Sequence, residues 1–551
     1  MSITQDLKEL DEIVKHIKER GYYSKYTENI RSYSEEYMKM GETAFHKQLN
    51  SNFNELYASG CANWIGEEVS PYLNVGLGIH YPAFDVKTLV LNAQQVKNAW
   101  AKTSLELRTK ILLESLDVIA ERFSEIAYAT MHTTGQSFLM SFQASGPHAL
   151  DRAMEAIVMG YVEQSRYNAH TTWTKNLGKF DLTLEKNYKA IPKGIGLLIG
   201  CSTFPIWNSF PGLYADLITG NVAILKPHPK AIYPIAIVIS EIQKVLEKYG
   251  FDKRIVQIAV DTVQAPITKV LCEQSDIKLI DYTGGNAFGD YVESLVGKET
   301  FTEKAGVNSI ILDSSNDLQK TAQNIAFSIS LYSGQMCTAP QNIFVAEQGI
   351  STPNGIVGFD EFKTILSEAI KGLVTNPKAG AATLGAIQND FTLERVKKGK
   401  LQFSDIVLDT VPVENPEFEA ARVQSPIVVA VESAQKDLYW KEYFGPFVVL
   451  IKTKNFEESL QLAAQSAREN GAITCLAYCT DAEKSDKIED VMNNAFTPVS
   501  FNFSGAAFVN QHAAFSDLHV TGGNPAGNAT FTDPNFINKR FVWVGNRYMK
   551  E

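Results

Sequence analysis

The stretch that decides the fold is Gly194–Pro227, GIGLLIGCSTFPIWNSFPGLYADLITGNVAILKP. It contains two short apolar runs, Ile195–Ile199 and Val222–Leu225, which are separated by a segment long enough for a helix. Strand, helix and strand in this order predict a βαβ unit, in which the two strands are parallel neighbours in one sheet.

The same alternation continues along the chain. Two more apolar runs, Ile255–Val260 and Ile277–Tyr282, follow helical patterns at Pro234–Tyr249 and Ala265–Gln274. It resumes after residue 303 with the predicted elements Ile310–Leu312, Asp317–Leu331, Ile343–Ala346, Phe447–Ile451 and Ile473–Tyr478. We therefore predict an α/β protein with two successive parallel, Rossmann-like domains.

Four segments follow from this pattern: a helical N-terminal extension (residues 1–85), a first α/β domain (86–302), a second (303–505) and a C-terminal segment (506–551). Residues 171–190 alternate polar and apolar side chains, which predicts a hairpin that belongs to neither domain. A capping box at Thr103 and Glu106 predicts one helix that continues to Gly135.

The composition excludes several classes of protein function. Of the 551 residues, 45% are hydrophobic and 21% are charged, which is typical of a globular protein. A net charge of -11 argues against nucleic acid as a partner. No apolar run approaches the roughly 20 residues of a membrane span, and the N-terminus has no signal-peptide pattern. Six cysteines without metal-ligand spacing indicate reduced thiols in a cytoplasmic protein, with neither disulfides nor a metal site.

The segment Ser333-Gly-Gln-Met-Cys337-Thr-Ala-Pro340 carries the candidate nucleophile. A helix is predicted to end near Leu331, so the Gly-Gln turn would present the Cys337 thiol beside backbone N–H groups, where a thiolate is stabilised. The other cysteines are expected to be small buried hydrophobic residues: Cys61, Cys201, Cys272, Cys475 and Cys479.

Gly334-Gln-x-Cys337 resembles the nucleophile motif of the aldehyde dehydrogenase superfamily. Glu303 lies 34 residues before Cys337, at the interval which that superfamily keeps between its general base and its nucleophile. Three further motifs occur in the family's order: Gly220-Asn-Val-x-x-x-Lys226-Pro, Tyr282-Thr-Gly284-x-x-x-x-Gly289 and Glu442-Tyr-Phe444-Gly-Pro. The resemblance extends from about residue 90 to the C-terminal region and implies an aldehyde dehydrogenase-like fold with a bridging, oligomerising hairpin.

The resemblance also implies a mechanism. A Cys337 thiolate attacks an aldehyde, hydride passes to a nicotinamide, and water activated by Glu303 hydrolyses the thioester. By the same resemblance Lys226 binds the cofactor ribose, Glu442 binds the nicotinamide ribose and Phe444 packs beside the ring. The turn under the pyrophosphate would be formed by Thr283, Gly284, Gly285 and Gly289.

One departure from the family pattern concerns the oxyanion donor. The superfamily has Asn-Phe-Pro in the loop before the Gly-Asn strand, whereas this chain has Thr203-Phe-Pro. Asn208 follows five residues later. Either Thr203 supplies the donor or Asn208 does; the register of the motif favours Thr203.

A second departure concerns the cofactor. Pro229 stands where NAD-preferring members often carry a glutamate that binds both adenosine-ribose hydroxyls. Without that carboxylate a 2′-phosphate is not repelled, and Lys226, Lys230 and His228 could attract it. We therefore predict NADP as the preferred cofactor and NAD as the alternative.

At a finer level, the Thr203 loop, Lys226-Pro-His-Pro229 and the tail from His512 through His519 to Pro525 look like the PaaN branch of phenylacetic acid degradation proteins. That likeness implies a CoA-linked semialdehyde from ring opening as substrate. Two alternatives stay open: a CoA-acylating dehydrogenase, and an inert relative that serves in binding or assembly. The apolar side of the 171–190 hairpin and the terminal strand predict a homo-oligomer, a dimer or a dimer of dimers.

Overall fold

The computed structural model describes residues 3–508, 514–515, 517–531 and 533–550. Its α-helices are Ile3–Glu19, Glu35–Gln48, Val86–Ala101, Leu105–Ala120, Phe123–Thr134, Phe138–Gln143, Ala149–Ser165, Pro205–Ile218, Tyr233–Lys248, Thr268–Glu273, Asn286–Glu293, Leu318–Ser330, Phe359–Val374, Pro377–Thr383, Asp390–Lys400, Lys436–Tyr439, Phe456–Asn470, Ala482–Asn493 and Pro534–Asn538. Within this part of the chain, no helix is long and apolar enough to cross a membrane.

The stretch Gly194–Pro227 forms the centre of a five-stranded sheet, in which every neighbouring pair is parallel. The strands run, in spatial order, Val256–Ile258, Val222–Lys226, Ile195–Ile199, Ile277–Gly284 and Glu299–Lys304. The predicted βαβ unit is present, with helix Pro205–Ile218 between its two strands. Both strands are buried almost throughout, which accounts for their continuous apolar runs.

A seven-stranded sheet forms the second half. Its spatial order is Asp405–Leu408, Ile427–Glu432, Phe447–Thr453, Pro340–Ala346, Asn308–Leu312, Cys475–Tyr478 and Val499–Phe501. All pairs are parallel except the first, which is antiparallel. The parallel five-stranded sheet and the mostly parallel seven-stranded sheet confirm the predicted fold class, and their carboxyl edges are where an α/β protein binds ligands.

The predicted hairpin exists and acquires a third strand. Strands His170–Asn176 and Asp181–Pro192 pair antiparallel, and the terminal strand Phe541–Met549 adds to the second of them. The described residues also form two short antiparallel pairs: Asn63–Ile65 with Tyr81–Ala83, and Ile350–Thr352 with Gly355–Val357.

The helix expected between Thr103 and Gly135 is in fact two helices. The first, Leu105–Ala120, is capped by Ser104, whose side chain accepts from the Leu107 N–H, so the capping box at Thr103 was wrong by one residue. The second, Phe123–Thr134, begins after Arg122 and ends at a left-handed Gly135. The apolar pattern continues across this break because the apolar faces of both helices pack against the same hydrophobic core.

The C-terminal segment returns to the first domain through a buried arginine. The Arg540 guanidinium donates to both Asp216 (2.6 Å) and Asp281 (2.8 and 2.6 Å), and none of its surface is exposed. Removing one partner of a buried ion pair costs about 3–5 kcal/mol, because the other charge is left without compensation. This anchor fixes the tail beside the strand that carries Glu303.

Candidate active site

The turn before Cys337 has an unusual backbone. Helix Leu318–Ser330 ends, and Tyr332, Ser333 and Gly334 follow with φ of 53°, 51° and 66°. A side chain at Gly334 would clash with the Gly445 carbonyl oxygen, so only glycine allows this approach. The turn therefore joins the nucleophile to the loop that carries Glu442 and Phe444.

Asn308 fixes the backbone that presents the thiol. Its Nδ2 donates to the carbonyl oxygens of Cys337 (2.8 Å) and Ala339 (3.1 Å). Its Oδ1 accepts from the backbone N–H groups of Ile473 (2.9 Å) and Thr474 (3.2 Å). One buried amide thus ties the nucleophile loop to a neighbouring strand of the seven-stranded sheet.

The structure brings Cys337 and Glu303 together around a third residue, His519. The Nε2 atom of His519 lies 3.8 Å from Cys337 Sγ and 3.1 Å from Glu303 Oε1. The other carboxylate oxygen, Oε2, accepts from Asn208 Nδ2 at 2.9 Å. Glu303 and His519 are both buried, at 2% and 4% exposure. Glu303 is therefore a buried carboxylate at the nucleophile.

The surroundings shift the pKa values of Cys337 and Glu303 in opposite directions. Burial and the adjacent Glu303 carboxylate raise the pKa of the Cys337 thiol well above its usual value, so the resting sulfur is protonated. Burial also acts to raise the pKa of Glu303, but the His519 contact and the Arg152 charge outweigh it and hold that pKa below its usual range. Glu303 is therefore an ionised base beside a neutral thiol at neutral pH.

The two candidate oxyanion donors line the same cavity as Cys337 and both contact Cys201, but their donor atoms have different partners. The Asn208 amide lies against Glu303, whereas the Thr203 hydroxyl donates towards Cys201 Sγ at 3.8 Å. Cys201 itself lines the cavity and is only partly buried, so it is not the core residue that the sequence suggested.

The cavity is about 620 Å³ and lies between the two α/β halves. Its lining includes residues from the loops after several strands: Gly200, Thr203, Phe204, Asn208, His228, Thr283, Gly284, Gly285, Phe288, Glu303, Cys337, Gln388, Arg395, Glu442 and Phe444. This volume suits a small-molecule site, and most of the residues predicted for cofactor and chemistry meet there.

The glycines after strand Ile277–Gly284 differ in what they do. Thr283, Gly284 and Gly285 line the cavity just before helix Asn286–Glu293, and a side chain at Gly285 would meet nothing within 4 Å. A side chain at Gly289 would instead clash with Lys304, so Gly289 serves packing between this helix and the neighbouring strand. The open backbone at Gly285 and the helix start behind it fit a pyrophosphate.

Glu442 and Phe444 border the same cavity. Burial raises the pKa of Glu442 to about 7. Among the residues that the structure describes, none forms a hydrogen bond with its carboxylate. A carboxylate that turns into a cavity in this way fits ribose hydroxyls as donors.

The segment after strand Val222–Lys226 contributes fewer residues to the cavity than the sequence suggested. Lys226 Nζ forms a buried ion pair with Asp261 at 2.6 Å and donates to the Pro227 carbonyl. Of this segment His228 lines the cavity, while Lys226, Pro229 and Lys230 do not. Burial lowers the pKa of His228 to about 3, so its imidazole is neutral at neutral pH.

Residues 80–491 match the family model described as "Aldehyde dehydrogenase family". The chain belongs to the aldehyde dehydrogenase family. It is 39% identical to the NAD-dependent aldehyde dehydrogenase from Burkholderia multivorans, whose crystal structure superimposes with a TM-score of 0.96 and coverage of 100% of this chain and 99% of that one. This aldehyde dehydrogenase is thus an oxidoreductase that acts on aldehydes with NAD or NADP.

More distant relatives show the range of the family. The α-ketoglutaric semialdehyde dehydrogenase of Bacillus subtilis is 23% identical over 401 residues, which cover 71% of this aldehyde dehydrogenase and 76% of the relative. The NADP-dependent glyceraldehyde-3-phosphate dehydrogenase of Bacillus halodurans C-125 shares the fold, with a TM-score of 0.69, 18% identity and coverage of 89% and 96%.

The sequence did not predict that His519, Arg152 and Asn308 lie at this site of the aldehyde dehydrogenase. His519 did stand out as part of the tail motif, but nothing local showed that the tail reaches Glu303; His512, which begins that motif, lies outside the described residues. The polar atoms of Glu303, Cys337 and His519 lie within 4.8 Å of one another, a spacing that would also suit a cation. The expected absence of a metal stays a prediction, which metal analysis of the purified protein would check.

Proposed function

We propose that this enzyme oxidises an aldehyde to its carboxylic acid through a thioester on Cys337 and releases the product with water. The observation that supports this most is the shared contact of Cys337 Sγ and the Glu303 carboxylate with one nitrogen, His519 Nε2. A nucleophile and an ionised base are thereby held in one buried centre, as the two half-reactions require.

The proposed chemistry starts from the neutral thiol. As the Cys337 sulfur bonds to the aldehyde carbon, its proton passes through water to solvent and the carbonyl oxygen becomes an oxyanion, so Glu303 stays ionised for the hydrolysis step. We assign the oxyanion donor to the Asn208 amide, because it reaches the Glu303 carboxylate while the Thr203 hydroxyl is engaged with Cys201. A nicotinamide bound in this cavity would supply the hydride acceptor for the same carbon. Preorganised donors of this kind are typically worth about 3–4 kcal/mol.

Water is the proposed acyl acceptor because the base is present and ionised. Glu303 is buried within reach of the thioester sulfur, with its pKa held below the usual range. A CoA-acylating enzyme has no need of a base at this position, since the incoming thiol is itself a good nucleophile.

For the substrate we propose a CoA-linked semialdehyde. The proposal rests on the tail and loop motifs of the PaaN branch, and one distant relative, from Bacillus subtilis, is named as a semialdehyde dehydrogenase. We expect kcat/KM for a CoA-linked semialdehyde to exceed that of the free semialdehyde by at least tenfold in a panel assay. Product analysis should find the free acid at the same rate with and without added CoA thiol. A new acyl-CoA product that appears only with added CoA would favour the acylating alternative.

For the cofactor we propose a modest preference for NADP. Three basic residues could attract a 2′-phosphate, but His228 is neutral and Lys226 is paired with Asp261. The preference therefore depends on the positive charge of Lys230 and on the absence of a carboxylate at Pro229. We expect kcat/KM to favour NADP by roughly fivefold, the size of a partly exposed charge pair of about 1 kcal/mol. Pro229→Glu should reverse this preference, because its carboxylate repels a 2′-phosphate and accepts from ribose hydroxyls. A wild-type preference for NAD would contradict the argument from Pro229.

We also propose that the enzyme is a homo-oligomer. Apolar side chains stay exposed on the three-stranded sheet formed by the hairpin and the terminal strand: Trp173, Leu177, Phe180, Val542 and Val544. Apolar area that a monomer leaves open in this way is typical of subunit contacts. Light scattering should give a mass of at least twice 61.1 kDa, and Phe180→Asp combined with Val542→Asp should lower it. A wild-type mass near that of one chain would show that the hairpin is satisfied by its own terminal strand.

A further inference from the structure

The C-terminal tail crosses the strand that carries the general base. The backbone N–H of Lys304 donates to the Ala526 carbonyl at 2.6 Å, and the N–H of Asn528 donates to the Thr302 carbonyl at 3.2 Å. A side chain at Gly527 would clash with the Thr302 carbonyl oxygen, so glycine is required for this pairing. The tail is thus held in fixed register on either side of Glu303.

His519 is enclosed where the tail reaches the catalytic centre. Its ring meets the Trp207 ring edge-on at a centroid distance of 5.0 Å and lies parallel to Phe531 at 6.4 Å. The Arg152 guanidinium stacks on the Trp207 ring, 3.5 Å from the ring centre. Packing of this kind leaves the imidazole little freedom, so Nε2 stays directed at the Glu303 carboxylate.

We propose that His519 is a positioning residue for the general base: its Nε2–H holds the buried Glu303 carboxylate ionised and turned towards Cys337. The proposal rests on the proposed role of Glu303 in hydrolysis. In that step the water oxygen bonds to the thioester carbon and one water proton moves to Glu303. The C–S bond then breaks, and the proton passes from Glu303 to the departing Cys337 sulfur.

The charges that face Glu303 explain why the histidine is needed. A carboxylate with 2% exposure is strongly desolvated, which favours its protonated form. The Cys337 and Cys201 thiols offer no positive charge, and the Arg152 guanidinium, which stacks on the Trp207 indole, lowers the pKa of Glu303 less than His519 does. His519 Nε2, 3.1 Å from Glu303 Oε1, is therefore the direct partner of the base, and its contact lowers the pKa of Glu303.

The test is the pH dependence of hydrolysis in His519→Gln, which keeps an N–H donor of similar reach but cannot carry a charge. Wild-type steady-state turnover should stay flat from neutral pH down into the acidic range. In His519→Gln, turnover at pH 7 should fall at least about tenfold and recover as pH rises, because the buried carboxyl is then protonated at neutral pH. The NAD(P)H burst in the first turnover should fall much less than the steady state.

Control variants distinguish a failure of the role of His519 from a failure of the role of Glu303. The exposed histidine variant His46→Gln should leave both the rate and its pH profile unchanged. If Glu303→Gln does not slow hydrolysis, the proposed role of the base fails. If Glu303→Gln slows hydrolysis while His519→Gln keeps the wild-type pH profile, only the role of His519 fails. Should His519→Gln not fold, as judged by Tm and cofactor binding, the wild-type profile decides: an acid limb at or above neutral pH overturns the proposal.

Discussion

Cys337→Ser is expected to lower kcat by roughly 10⁴-fold or more, which is the scale seen when an enzyme loses a covalent nucleophile. The thiol is close to the base, and a serine hydroxyl at the same place would be far harder to deprotonate beside the Glu303 carboxylate. Stopped-flow measurement of NAD(P)H at saturating aldehyde should show neither burst nor steady state. Cofactor affinity, measured by fluorescence titration, should change by less than about threefold, because the cofactor is held mainly by other residues.

Cys61→Ser is the matched control for that experiment. Cys61 is partly buried and lies in the N-terminal extension, away from the cavity. The same substitution there should leave kcat within about twofold, in keeping with the small effects of most changes outside a site. Cys337→Ser protein that keeps more than a few per cent of wild-type turnover would contradict the assignment of the nucleophile.

The fold could be predicted from the sequence where strands are buried on both faces. Val222–Lys226 and Pro340–Ala346 are such strands, and their apolar runs mark them without any knowledge of their neighbours. Element ends were less predictable. The apolar run Ile255–Val260 forms a strand only at Val256–Ile258, because pairing with the adjacent strand ends at Ile258.

The candidate site was predictable only where its residues share a local motif. Cys337 lies in one continuous segment whose glycine is required by the approach to Gly445. His519 and Arg152 join it through tertiary packing, across 182 residues in the case of the histidine, and no spacing rule connects them to the nucleophile. The Asn208 amide was the less favoured oxyanion candidate because the register of the motif was counted along the chain. A helical turn after Phe204 brings that amide to Glu303.

The charges near the proposed cofactor site were also hard to predict from the sequence. From the sequence, Lys226 is a free positive charge near the ribose, but in the fold its ammonium group is neutralised by Asp261 from the next strand-end loop. Charge attributed to a residue type therefore overestimates its field wherever a buried partner is supplied from a distant part of the chain. The ionic state of Glu303 is the opposite case, since a carboxyl that burial alone would neutralise is kept charged by the tail.

Glu303→Gln is expected to separate the two half-reactions. With the base replaced by an amide, one equivalent of NAD(P)H per site should form in a burst, and the following steady state should be slower by about 10²–10⁴-fold, the usual contribution of a general base. Mass spectrometry of the quenched protein should find the acyl group on Cys337 during the stalled phase. Glu299→Gln, on the same strand but paired with Lys193 outside the cavity, should behave as wild type. A burst and a steady state that decline together would place Glu303 in thiol activation alone, and hydrolysis would then need another base in this centre.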